Sequence, residues 1–187
     1  MAGPTRHRSL AAELVLAASG GPLRSSWRQT ELGFATVGAA LHELARAGRI
    51  AVSPDAVFAR GAERCPDPVA DLLLEHLLLA ERALGPREWI ERLGPELLDL
   101  TRAELISQGL LVQVRRRVLG LFPVREFLGT GAPDAVPRDE VVAALLRAIQ
   151  PRGPAHGPPG PAPAPDPITD AVASATSAAW FVLAFPG

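Results

Sequence analysis

The chain has 187 residues, a formal net charge of −1, and a hydrophobic fraction of 48% against 21% charged residues. That apolar share excludes a disordered main body, and the balanced charge excludes a global pull toward nucleic acid or anionic membrane, so any such binding must rest on a local patch. The lone cysteine, Cys65, excludes an intrachain disulfide and a cysteine-cluster metal site, and a cytosolic compartment fits it best.

One domain with a real core is expected over residues 8–150, followed by a Pro-rich linker (151–167) and a short apolar C-terminal segment (168–187). Every basic side chain other than His is Arg, and Lys, Asn and Tyr are absent, a bias of GC-rich codons from which no function is read. No secretory leader is recognisable, because the apolar run after residue 9 is broken by Glu13 and by Gly20, Gly21 and Pro22. The C-terminal apolar run, 178–185, is far below the roughly 20 residues that span a bilayer.

In chain order, Ser9 is placed to cap a first helix over 10–18, which Gly20, Gly21 and Pro22 end. A second helix over 31–47 carries Phe34, Val37, Leu41 and Leu44 at helical spacing. Gly33 and Gly38 inside it each cost about 1 kcal/mol relative to Ala, which predicts close helix packing there. Residues 50–52 and 56–59 read as a hairpin turned by Ser53, Pro54 and Asp55. Asp67 as cap and Pro68 at the first helical position open a helix to about residue 84, apolar on most of its circumference and therefore expected to be central and the most buried.

Pro86 starts a short helix with Trp89, Ile90 and Leu93 facing inward, and Gly94 and Pro95 are expected to separate it from a helix over 96–108. Gly109 suits the left-handed residue that stops that helix. The alternation after it predicts a strand from Leu110, a turn at Arg115, Arg116 and Arg117, and a return strand from Val118 to Phe127, with Pro123 at an edge or bulge. Segments 43–52 and 104–112 share Glu-Leu, three residues, Gly and then apolar residues, so both are helix-to-strand junctions. Residues 138–149 form an amphipathic helix ended by Pro151. The eight prolines of 151–167 exclude helix and inner strand there. Asp166 or Thr169 can cap a last segment, 168–179, whose Ala, Ser and Thr bury little. The fold class is mainly α: a single helical domain around a central hydrophobic helix, with one or two short β-hairpins.

Five pieces in order, SLAAELVLAA, GAALHELARAGRI, WIERL, AELISQGLL and LGLFPVREF, resemble the Golgi phosphoprotein 3 family in the short bacterial form typical of actinomycetes. DPITDAV matches more weakly, and the likeness covers roughly residues 10–149. The resemblance implies a mainly helical domain whose hairpin, at LGLFPVREF, contacts membrane or a second protomer. Eukaryotic members bind phosphatidylinositol 4-phosphate through one Trp and three Arg. Those Arg positions fall here on Val37, Pro95 and Leu98, which cannot pair with a phosphate. The Trp falls on Arg28, beside Trp27. Trp27 and Arg28 are therefore the only headgroup residues the resemblance carries over.

The basic run Arg115, Arg116 and Arg117, with Arg125 and the apolar Leu121 and Phe122 beside it, can set charge at anionic headgroups while an apolar tip enters the interface. The plainer reading is a solvated turn flanked by core side chains. Trp27 with Arg24 and Arg28 can clamp a phosphate or simply cover a helix end. His42 and His76 adjoin Glu43 and Glu75, but neighbouring helical residues point about 100° apart, so neither pair forms an acid–base or metal site. Hydrolase, P-loop and dinucleotide signatures are absent, so no enzyme and no cofactor is expected. A winged-helix DNA-binding regulator competes, but its groove-entering helix would carry Glu96, Asp99 and Glu104 against Arg102. A purely protein–protein interaction module is the other alternative.

The reading is thus a lipid-binding, peripheral, adaptor-type domain on the inner face of a membrane. Its partner is an anionic phospholipid surface, with a protein partner or a second copy engaged through the hairpin, and no nucleic acid is expected.

Overall fold

The structure, a computed structural model, describes residues 8–19, 29–118, 122–130, 139–150 and 166–184, with backbone alone at 116–118, 122–124 and 180–184. Its elements are α1 (Leu10–Ser19), α2 (Gln29–Arg46), β1 (Ile50–Val52), β2 (Val57–Ala59), α3 (Pro68–Leu79), α4 (Pro86–Ser107), β3 (Leu111–Val118), β4 (Phe122–Gly129), α5 (Glu140–Ala148) and α6 (Pro167–Ala184). Among the described residues the fold is mainly α, with two separate antiparallel two-stranded hairpins, β1–β2 and β3–β4.

Side-chain oxygens set several helix starts, as their positions predict. Ser9 Oγ accepts from the Ala12 N–H (3.3 Å). Asp67 accepts from Val69 and Ala70. Asp139 accepts from Val141 (2.8 Å), and Asp166 from Ile168 (3.2 Å). The two helix-to-strand junctions close alike: Gly48 and Gly109 adopt φ of +69° and +70°. Around them the Arg49 and Leu110 N–H groups reach back to the Leu44 and Leu105 carbonyls, both at 2.9 Å. That left-handed exit turns each helix into its hairpin and favours glycine, which lacks the Cβ that would clash.

The central helix is α2. Every position from 31 to 41 is buried, so the helix is covered on all sides, and it packs against α1, α3, α4, α5 and α6. Small residues permit this. A Cβ on Gly33 would lie 2.7 Å from the Gly94 carbonyl oxygen of α4, and one on Gly38 would lie 2.7 Å from Val172 of α6 and 3.1 Å from Leu145 of α5.

The expectation that residues 67–84 form the most buried helix is corrected. α3 stops at Leu79 and buries one stripe, Val69, Ala70, Leu73, Leu74 and Leu77, while Leu78 and Leu79 are 46% and 72% exposed. It ends early because the following chain is used differently: the Leu84 carbonyl accepts from Val57 of β2 at 2.8 Å, and Leu84 is itself buried.

The break expected at Gly94 and Pro95 is also corrected, since α4 runs unbroken through both. Trp89, Ile90, Leu93, Leu97, Leu98, Thr101 and Leu105 form one buried stripe, and continuous burial outweighs the single backbone hydrogen bond that a proline removes. Pro95 and Glu91, whose carbonyl loses that bond, both lie on the exposed side. The last segment buries more than its composition suggested, because α6 places Ile168, Val172 and Ala175 in the core. Asp166 and Pro167 belong to this helix start, whereas 151–165 lies outside the described residues.

Three helix starts converge on the last turns of α2. Glu43 accepts from the Leu10 N–H (3.1 Å), and Arg46 donates to both Asp139 oxygens (2.6 and 3.1 Å). His42 Nε2 lies 2.9 Å from Asp166 Oδ2. Glu13 adds a bond from the Asp139 N–H at 3.3 Å.

Candidate membrane-contact site

Hairpin β3–β4 leaves the helical body at Gly109. Its base is fixed by the Thr130 N–H bonding the Leu110 carbonyl (3.1 Å) and by Thr130 Oγ1 donating to the Gly109 carbonyl (2.9 Å). Leu111 is fully buried there, and the Phe127 ring packs against the core. The register pairs Leu111 with Gly129, Gln113 with Phe127, Arg115 with Arg125, and Val118 with Phe122.

Alternation along a strand puts Gln113, Arg115, Arg125 and Phe127 on one side and Val112, Val114, Glu126 and Leu128 on the other. Toward the body the first side is anchored by Phe127; farther out it carries Arg115 directly opposite Arg125. Both are exposed, and neither guanidinium meets a carboxylate among the described residues. Like charges directly opposed disfavour a strand pair. The other side exposes Val112 to 47%, beside the half-buried Leu128 opposite it.

The turn expected at Arg115, Arg116 and Arg117 is corrected: all three lie within β3, which continues to Val118, and the return strand starts at Phe122 instead of Val118. Two-residue alternation places charge on one side of a projecting ribbon as readily as in a turn, so the charged run alone does not mark the reversal. Arg116, Arg117 and Phe122 have described backbones only, and Leu121, Trp27 and Arg28 lie outside the described residues. Val37 and Leu98, where the resemblance would place headgroup arginines, are buried apolar side chains of the core, and Pro95 is exposed.

One charged residue of this region was invisible to sequence reasoning. Arg102 of α4 is 6% exposed, and its guanidinium carbon lies 4.1 Å from the centre of the Phe127 ring. Its Nε is buried without a hydrogen-bond partner. Burial pushes its pKa down to about 10 while the charge of Asp99 opposes the fall, so it remains a cation at neutral pH. No spacing in the chain announces a contact across 25 positions. The histidines also find partners that the sequence hides: Asp166 for His42, and Glu96, 3.5 Å away, for His76.

A helical body built round one encased helix, with a hairpin that leaves it on a glycine exit and carries exposed arginines, defines a mainly helical domain with a projecting basic ribbon. The chain belongs to the Golgi phosphoprotein 3 family, whose family model matches residues 10–182 and so takes in every element from α1 into α6. Comparison with curated proteins returns no match. No helix among the described residues is long and apolar enough to cross a membrane.

Proposed function

We propose that this domain binds the surface of anionic phospholipid membranes through hairpin β3–β4, as a peripheral adaptor-type module and not as an enzyme. The observation that carries the reading is the cross-strand pair Arg115 and Arg125, exposed, opposed and without carboxylate partners among the described residues. Such a pair is relieved by anions brought to it from outside, and a sheet of headgroups supplies them. Exposed Val112 on the other side adds apolar area that an interface can cover. Family membership supports the reading, while the apolar, buried Val37 and Leu98 argue against the eukaryotic headgroup specificity. A DNA-binding role is disfavoured because, in the part of α4 from residue 96 on, Glu96 and Asp99 are exposed, Glu104 is half-buried and Arg102 is buried, leaving an acidic face that phosphates would repel.

Co-sedimentation with phosphatidylcholine vesicles, with and without phosphatidylglycerol, tests it. The protein is expected to pellet only with the anionic vesicles, and equal recovery with both kinds would refute electrostatic membrane binding.

A further inference from the structure

Buried arginines ordinarily meet a carboxylate or a carbonyl, because a desolvated cation is costly without one. Arg102 departs from that rule: it is 6% exposed, its Nε has no hydrogen-bond partner, and Asp99 acts on it through charge alone, without an ion pair. Its Nε is shut off from solvent, so the residual exposure belongs to its other atoms. The position of its guanidinium carbon 4.1 Å over the Phe127 ring offsets part of the cost, but a ring face accepts no conventional hydrogen bond and so leaves N–H donors to be satisfied. Those donors form a fork that fits two oxygens of a carboxylate or phosphate.

The same side of the hairpin supplies further donors. Phe127 is opposite Gln113, and the next pair outward on that side, about 7 Å along the strands, is Arg115 with Arg125. The hairpin side that meets the buried guanidinium through Phe127 therefore carries Gln113, Arg115 and Arg125, and the carboxylate that acts on Arg102, Asp99, makes no ion pair with it.

We propose that Arg102, Gln113, Arg115 and Arg125 form an oxyanion site on the Phe127 side of the hairpin that takes a phosphate monoester. A monoester is favoured over a diester because it carries a charge of about −1.5 to −2 at neutral pH and three terminal oxygens, enough to engage the buried fork and the outer pair together. The phosphate can belong to a lipid headgroup or be free in solution, so the site does not rest on the membrane reading. It is also distinct from the positions of Val37, Pro95 and Leu98.

The test compares wild-type protein with Arg102→Met, which keeps length and apolar packing and removes the fork. Phosphatidylcholine vesicles carry either phosphatidic acid, a monoester, or phosphatidylglycerol, a diester, at matched zeta potential. Wild type is expected to bind the phosphatidic acid vesicles at least tenfold more tightly, and Arg102→Met to lose that preference while binding phosphatidylglycerol vesicles within twofold of wild type. In parallel, inorganic phosphate is titrated into wild type while the arginine Nε–Hε resonances are followed, with chloride at equal ionic strength as the control. A shift of the Arg102 resonance with phosphate alone supports the site even if neither vesicle binds, which would sink only the membrane reading and leave free phosphate as the source. A wild type that neither discriminates between the vesicles nor shows that shift overturns the proposal, and so does an Arg102→Met protein that keeps the full preference. Should Arg102→Met fail to fold, the wild-type titration decides alone.

Discussion

Gly33 of α2 faces Gly94 of α4 so closely that a methyl group on Gly33 would sit 2.7 Å from the Gly94 carbonyl oxygen and 2.9 Å from its carbonyl carbon. Both obstacles are backbone, so relief requires the helices to separate. Overpacking of that kind costs about 1–3 kcal/mol, which outweighs the roughly 1 kcal/mol that Ala gains over Gly inside a helix. Gly33→Ala is expected to destabilise the domain in urea unfolding. Gly94→Ala, whose methyl meets the Phe34 ring at 3.1 Å and backbone only at 3.4 Å, is expected to cost less. Equal stability of Gly33→Ala and wild type would contradict the close approach.

Asp139 serves both the first turn of α5 and the end of α2, through its bonds from Val141 and Arg46. Asp139→Ala should therefore lose about 1–2 kcal/mol, the upper part of the range for a helix cap. Arg46→Ala should lose under about 1 kcal/mol, since Arg46 is half exposed. The Arg46 hydrogen bonds hold the Asp139 carboxyl below its ordinary range. Its contribution is thus present above about pH 4 and disappears as pH falls through the lowered value. Urea midpoints of the two variants at pH 7 and of wild type at pH 3 check the ranking and the sign.

His42 carries a pH dependence of its own. Burial lowers its pKa, against the raising effects of Asp166 and Asp139 and with a further lowering from Arg46. A folded value below the unfolded one means that the unfolded chain takes up the proton first, so His42 stabilises fully above about pH 6.5 and loses that effect as pH falls through the folded value. Thermal unfolding should show stability declining from pH 7 toward pH 5, and His42→Gln should flatten that part of the profile. A steeper decline in the variant would reverse the assignment.

Much of the local structure was legible because its causes are local. Ser9 and Asp67 announce caps, Gly48 and Gly109 announce left-handed exits, and Pro54 marks a tight turn, each within a few residues of its effect. The identity of the central helix was not legible. Leucine density favoured α3, yet Leu78 and Leu79 face outward. α2 is central because glycines and alanines let five helices approach it, and what surrounds a helix is not encoded within it. Pro95 misled in the same way, since its local break is overridden by a burial stripe running the whole length of α4.

At the site, the basic character of the ribbon could be read from Arg115 and its neighbours, but not the pairing that gives it meaning. That Arg125 stands opposite Arg115 depends on where the chain reverses, and shifting the reversal by one residue would move every side chain to the other face. The stacking of Arg102 on Phe127 depends on how the hairpin docks against α4. No periodicity within either element carries that information.

The most direct test of membrane binding through the hairpin is vesicle affinity after replacing the opposed pair. Each arginine near an anionic surface contributes about 1 kcal/mol, so Arg115→Ser with Arg125→Ser should weaken binding to phosphatidylglycerol vesicles by about 2 kcal/mol, roughly 30-fold. Raising the salt should weaken wild type more than the double variant, since fewer charges remain to be screened. An affinity and a salt dependence unchanged by the double replacement would contradict the account.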